Sequence, residues 1–517
     1  MVNLQWPLLT NWADTLQVCP QPLVSQVSHS FQSSDQFFTP KYLDHSVALL
    51  AGAVQIPSES YDDMARDPLQ DPRFNVFSDL HQYIDASFPL CAQFKETINT
   101  YGLLYTFPGS NSSLEPILYM AHQDVVPVNH ETLNEWEYPP YSGYFDGDCI
   151  HGRGSSDTKN TLIAQLEAIE NLLNQGWQPA RTLLLGYGFD EECDGSRGAK
   201  HIAPEIEARY GTYGVKLIVD EGSGVMNRHG VNFALPAVSE KGIVDFNLEL
   251  TMPGGHSSVP PDHTAIGIMA SLITELEKNP LTAGLPADSV WIKTFECFGA
   301  WDPSLPDQVR EVFLGLASAR NRHILADILD QSLETKYLLR TSQAIDFING
   351  GVKVNALPEK VTFQVDHRIA IHESIDMMKD RLASYAMKLA NEFDFAIVFD
   401  GESISEGKVG SLNITSFGGY DPAPVSPSSG EVWDSLGGIT KYIFGSYFDT
   451  DVILAPFVMI GNTDTGSYWD VSHNIYRFNP CFDIDMKDIH TVNEKLRMRS
   501  HLAAVAWFYE FTIHWTT

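Results

Sequence analysis

Residues 158–192 read TKNTLIAQLEAIENLLNQGWQPARTLLLGYGFDEE. In the first half Leu162, Leu166, Ile169, Leu172 and Leu173 recur at helical spacing, which predicts a helix with one apolar, buried face. After the QPA break the run RTLLLGYGF at 181–189 has the length and composition of a buried strand, and it ends on Asp190, Glu191 and Glu192. Similar strands flank this unit. PILYMAH at 116–122 ends on His122 with Asp124 just beyond, and VKLIVD at 215–220 ends on Asp220 with Glu221 next. Alternating strands and helices predict an α/β sheet with crossover helices, and ligands bind such sheets beyond the carboxyl ends of the strands. The polar residues at these three strand ends are therefore expected in one crevice, joined by Asp157 from the Gly-rich HGRGSSDTKN that precedes the helix.

Further along, the pattern changes. VDFNLELTM and VTFQVDHRIA alternate like half-buried strands, and DHTAIGIMASLITELEK and ESIDMMKDRLASYAMKLANEF have helical periods, which together predict a small α+β domain inserted in the larger one. The expected division is a polar leader over 1–40, a catalytic α/β domain over 41–238 and 400–517, and an inserted α+β domain over 239–399. The run GGYDPAPVSPSSG at 418–430 reads as the returning loop, VILAPFVMIG at 452–461 as a late strand, and KDIHTVNEKLRMRSHLAAVAWFYEF at 487–511 as a closing helix.

Composition bounds the function. The 517 residues include 33 Lys plus Arg against 66 Asp plus Glu, a formal charge of −33 that repels phosphate backbones and anionic lipid surfaces and excludes nucleic acid as a natural partner. Six cysteines, far apart and without a CxxC pair, argue against a zinc finger or a dense disulfide scaffold and leave the redox compartment open. No stretch supplies the ~20 apolar residues of a membrane helix, so a chain without a membrane segment is expected. Asn111-Ser-Ser and Asn413-Ile-Thr permit glycosylation only on a secretory route.

One histidine with several carboxylates is a donor set for a divalent metal of hard-to-borderline character, and zinc accepts both nitrogen and carboxylate oxygen. Taken singly, a histidine at a strand end or an aspartate beside glycine is ordinary structure. In combination they are specific. MAHQDVVPV, GRGSSDTK, GFDEECDGSRGA, IVDEGSG, MPGGHSSVP, GGVKVNALPE and IHTVNE occur in order and resemble the carboxypeptidase S and aminoacylase family of di-zinc metallopeptidases. GGVKVNALPE, PAPVSPSSG, GNTDTGSYWD and NIYRFNP resemble its carboxypeptidase S branch.

The resemblance implies a three-layer zinc-peptidase domain with an inserted, ferredoxin-like lid that also dimerises. It implies two Zn2+ per subunit, with Co2+ or Mn2+ as alternatives because cellular supply as well as ligand type decides the metal. His122 and Asp220 would hold the first ion, Asp157 would bridge, and Glu192 and His490 would hold the second; Glu191 would be the general base, and Asp124 would orient His122. Asp220 is assigned over the adjacent Glu221, and His490 over the rival His473 because it matches the family's H-x-x-N-E ending. His256 would reach across a dimer interface to the scissile carbonyl, while Asn355 and Arg368 would bind substrate, the arginine taking a free carboxylate. The implied reaction is removal of a C-terminal amino acid from small peptides. The alternatives are hydrolysis of N-acyl amino acids and, in another class, a non-catalytic metal-binding homologue. Three positions depart from the family pattern: Asn160 and Cys193, neither at a ligand position, and Gly466, where the branch commonly has a basic residue near the substrate. The branch also has an N-terminal membrane anchor unlike this N-terminus, so a vacuolar or secretory address is implied by resemblance alone.

Overall fold

Two large sheets organise the chain in the computed structural model, which describes residues 17–517. In the larger sheet, strands Leu183–Gly188, Ile117–His122, Leu217–Arg228 and Ile475–Phe482 lie side by side and parallel. Antiparallel strands Gly102–Phe107 and Lys95–Ile98 extend one edge, and Ala237–Glu240 with Phe457–Met459 extends the other. Every residue of Ile117–His122 and Leu183–Gly188 is buried, because helices cover both faces. Alternate side chains divide between two cores. Tyr119 and Leu185 join the side of helices Lys159–Asn174 and Met498–Thr516, whereas Leu118 and Leu184 join the side of helix Ala199–Tyr210. The expected three-layer α/β architecture is present.

The smaller sheet has the strand order Ala344–Gly350, Lys360–Ile369, Gly242–Thr251, Gly410–Tyr420, Phe395–Phe399, Glu402–Ser405. Along Gly242–Thr251 the inward residues Val244, Phe246, Leu248 and Leu250 are buried and their neighbours are not, the pattern of a sheet covered on one face. Helices Ala265–Lys278 and Ile375–Phe393 supply that cover, and the three elements share one core. This is the inserted α+β domain.

Several boundaries differ from expectation. The inserted sheet runs to Tyr420 rather than 399, since Gly410–Tyr420 pairs along Gly242–Thr251. Helices Trp291–Trp301, Asp307–Leu314, Ala319–Leu329 and Leu333–Leu339 fall inside the insertion in sequence but bury Phe295, Phe298, Phe313 and Leu325 in the catalytic core. The late strand is two, Val452–Leu454 and Phe457–Met459, interrupted at Pro456. The closing helix begins only at Met498, because Asp488, His490 and Asn493 adopt positive φ, which no helix admits. Of the expected leader, residues 1–16 lie outside the described residues. From Cys19 onward the segment is a strap: Cys19 forms a disulfide with Cys297, Gln21 exchanges hydrogen bonds with the backbone of Leu454, and Phe37 is fully buried. Among the described residues no helix is long and apolar enough to cross a membrane.

Candidate metal centre

The crevice forms where the parallel strands end. His122 closes the strand Ile117–His122, and its Nδ1 donates to the backbone carbonyl of Asp124 at 3.0 Å, with the Asp124 carboxylate at 3.3 Å. That leaves Nε2 facing Asp157 Oδ1 at 3.1 Å, Glu221 Oε1 at 3.4 Å and Glu191 Oε2 at 4.0 Å. A carboxylate on one ring nitrogen and a free second nitrogen is the arrangement that orients a metal-ligating histidine. Asp124 is fully buried and has a second task. It accepts from Ser60 Oγ at 2.6 Å and from the backbone N–H groups of Glu191 and Glu192 at 3.1 Å each, so it also fixes the turn that carries the glutamate pair.

Asp157 is delivered by the loop ahead of helix Lys159–Asn174. Glu494 holds that loop: its carboxylate accepts from the backbone N–H groups of Gly154, Ser156 and Asp157 and from Arg153 at 2.6 Å. Lys159, also buried, donates to the carbonyls of Ala53 and Ile56, and its burial lowers its pKa to about 7. On the far side of Asp157, His490 Nε2 lies 3.0 Å from Asp157 Oδ2 and 3.1 Å from Glu192 Oε1. Asp157 therefore stands between the two histidines, as a bridging ligand must.

Asp220 requires a correction. The structure brings Glu221, not Asp220, to His122. The register with Ile475–Phe482 slips here, Arg477 pairing with Asp220 and Phe478 with Ser223, which leaves Glu221 and Gly222 as a bulge. A bulge re-aims its side chains out of the simple alternation of a strand. Glu221 turns into the crevice, and Asp220 stays buried opposite Arg477 with Oδ2 lacking any hydrogen-bond partner.

Ligand atoms of His122, Glu191 and Glu221 converge within 4.8 Å of one another, and so do those of His122, Asp157 and Glu192. Four carboxylates thus surround two imidazoles, and their charge is felt. Hydrogen bonds donated to Asp157 and Glu192 raise the pKa of His490 to about 10. Burial works against the charged form of His122, yet Glu221, Asp124 and Asp157 still raise it well above its usual value. Burial likewise pushes Glu221 up to about 7 and Glu191 well above the carboxylate range, with neighbouring carboxylates adding to both. So much negative charge in a buried crevice fits divalent cations held by nitrogen and carboxylate oxygen.

A family model described as peptidase family M20/M25/M40 matches residues 118–514. The chain belongs to this family. Carboxypeptidase S of Saccharomyces cerevisiae is 41% identical over 508 residues, covering 96% of this chain and 88% of the relative, so the chain is a carboxypeptidase S-like member. The N-fatty-acyl-amino acid synthase/hydrolase PM20D1 of Mus musculus is 30% identical over 483 residues, covering 89% of this chain and 86% of that protein. Among solved structures, the dipeptidase Dug1p of Saccharomyces cerevisiae shares the fold with a TM-score of 0.62 at 15% identity, covering 95% of this chain and 99% of that one.

The remaining expected site residues lie apart from the metal cluster. His256 and Asn355 sit together on the exposed two-stranded ribbon of Gly255–His256 with Ala356–Leu357, where Ser257 N donates to the carbonyl of Asn355. Arg368, on Lys360–Ile369, pairs with Asp366 at 3.1 Å and donates to Asn462 Oδ1 of the catalytic domain at 2.8 Å. His473, the rejected rival, stacks on Tyr213. Glu494 is the contributor that residue-by-residue reading passed over, although it stands in the quoted IHTVNE.

Proposed function

We propose that this chain is a two-zinc exopeptidase that removes the C-terminal residue from small peptides. The observation that carries this reading is the convergence of Asp157, Glu191, Glu192 and Glu221 on His122 and His490. His122 and Glu221 would hold one ion, Glu192 and His490 the other, and Asp157 would bridge them. Bound zinc supplies Lewis acidity and makes water nucleophilic near neutral pH. Glu191 would take the proton from the attacking water and return it to the leaving amine, its carboxylate standing beside the centre with Oε2 4.0 Å from His122 Nε2. Asp124 keeps His122 in one tautomer and keeps Glu191 and Glu192 in register through their backbone.

Arg368 anchors the free carboxylate of the substrate. Its fork is already oriented by Asp366 at the seam between the two domains, where a bidentate partner gives exopeptidase specificity. His256 and Asn355 act on the substrate from a second copy of the chain. Supporting this, the ribbon that carries them adjoins Val352 and Val354, almost fully exposed at 98% and 99%, and the edge strand Ala344–Gly350 with Phe347 and Ile348 exposed. An unpaired apolar edge of this kind is a natural pairing surface. The Cys19–Cys297 disulfide favours an oxidising compartment such as the secretory route or vacuole.

The test is release of free amino acid from an N-blocked dipeptide and from a long-chain N-acyl amino acid by zinc-loaded protein. Preference for the dipeptide supports the peptidase reading. Preference for the acyl compound replaces it with an N-acyl amino acid hydrolase, and cleavage of neither leaves a metal-binding homologue without this activity.

A further inference from the structure

Tyr420 is the last residue of Gly410–Tyr420, the strand on which the chain leaves the inserted domain. Its ring lies over Gly466 of the catalytic domain: a Cβ built on that glycine would stand 3.1 Å from Cζ, 3.3 Å from Cε1 and 3.4 Å from the hydroxyl of Tyr420. Any larger residue at 466 would push the ring aside. Trp469 meets Tyr420 edge to face with ring centroids 5.5 Å apart, and its buried Nε1 has no hydrogen-bond partner. Gly466 sits in the short turn Asp464–Ser467, and Asp464 packs against Gly188 and Gly195, which bracket the Glu191–Glu192 pair in sequence. On the other side, Arg368 reaches the neighbouring Asn462, and Asn462 donates to the carbonyl of Lys241 at 2.5 Å.

Tyr420 therefore packs on the segment 462–466, which touches Arg368 through Asn462 at one end and the turn carrying Glu191 through Asp464 at the other. The electrostatics agree: burial and then Glu240 and Glu191 raise the pKa of its hydroxyl, while Arg368 and Arg477 lower it. A C-terminal residue bound for cleavage must span this same distance, its carboxylate on Arg368 and its amide nitrogen towards Glu191. The side chain of that residue would then face the Tyr420 ring packed on Gly466 and Trp469.

Resting on the peptidase reading above, we propose that Tyr420, framed by Gly466 and Trp469, is the specificity wall for the side chain of the released residue and selects large apolar or aromatic residues. The ring rather than the hydroxyl does the selecting, since an aromatic face gains by covering apolar surface.

The experiment compares kcat/KM for N-blocked Gly-Phe and N-blocked Gly-Ala in wild type, Tyr420→Phe, Tyr420→Ala and Gly466→Ala, with zinc content measured on each protein. Tyr420→Ala should lower the Phe/Ala ratio about tenfold or more, the range expected when an apolar pocket loses a wall. Tyr420→Phe should keep the ratio within about threefold, and Gly466→Ala, which displaces the ring without deleting it, should lower it in the same direction as Tyr420→Ala. Equal losses on both substrates, or an unchanged ratio in Tyr420→Ala with zinc retained, would overturn the inference while leaving the peptidase reading intact. A wild type that cleaves neither substrate would remove that reading, and the inference with it.

Discussion

Glu494 gives the sharpest test of how the centre is built. Its carboxylate is fully buried, pairs with Arg153 at 2.6 Å, itself only 4% exposed, and receives three backbone N–H groups of the loop that presents Asp157. In Glu494→Gln the amide oxygen can still accept the three backbone bonds made to Oε1, so the perturbation falls on the Oε2 side, where Arg153 loses both its counter-charge and its hydrogen-bond acceptor. A buried ion that loses its partner costs ~3–5 kcal/mol, and a loop held less firmly behind a bridging ligand should weaken zinc binding roughly 10–100-fold. Chemical denaturation of the metal-free protein reads the first quantity, and competition with a zinc chelator reads the second. Removing the stranded cation as well, in Arg153→Met/Glu494→Gln, should recover at least about half of the lost stability, because apolar groups replace buried ion pairs at little net cost. The reasoning is refuted if Glu494→Gln unfolds within about 0.5 kcal/mol of wild type, or if the double variant is no more stable than the single one.

Two further outcomes follow from the fold. His367 lies buried in the inserted domain beside Phe246, and burial lowers its pKa to about 4 from an ordinary 6.5. The unfolded chain takes up this proton near pH 6.5 and the folded chain only near pH 4, so stability is complete above pH 6.5 and falls as pH drops through that window, by up to about 3 kcal/mol; His367→Leu should flatten that part of the stability–pH curve relative to wild type, and an unchanged slope contradicts it. The Cys19–Cys297 disulfide closes a sequence separation of 278 residues, so Cys297→Ser should cost about 2–5 kcal/mol in non-reducing denaturation, with no difference between the two proteins once reductant is added.

Much of this organisation was legible because burial writes periodicity into sequence. The strands at 117–122 and 183–188 are continuous apolar runs since helices cover both faces, and Gly242–Thr251 alternates because one face is open. Of the proposed metal ligands, His122 and Glu192 stood out because they follow those runs directly. Features without a local signature were not legible. The choice between Asp220 and Glu221 rests on a bulge created by pairing with Ile475–Phe482, more than 250 residues away, and no pattern within VKLIVDE encodes it. The return of Trp291–Leu339 to the catalytic core, the pairing of Cys19 with Cys297, and the Tyr420 ring over Gly466 are likewise contacts between distant segments. His490 misled the helix assignment for a related reason. A left-handed residue at this proposed ligand interrupts a segment whose composition, from Lys487 onward, otherwise suits a helix.

The measurement that bears most directly on the central claim is hydrolysis of an N-blocked dipeptide by wild type and Glu191→Gln, with metal content determined on the same samples. The account predicts two zinc ions per chain in both proteins and a loss of kcat of about a thousandfold or more in the variant, the effect of removing the proton carrier from an intact centre. A variant that keeps its zinc and still cleaves at the wild-type rate would contradict the role assigned to Glu191, and wild-type protein that binds no divalent metal would contradict the centre itself.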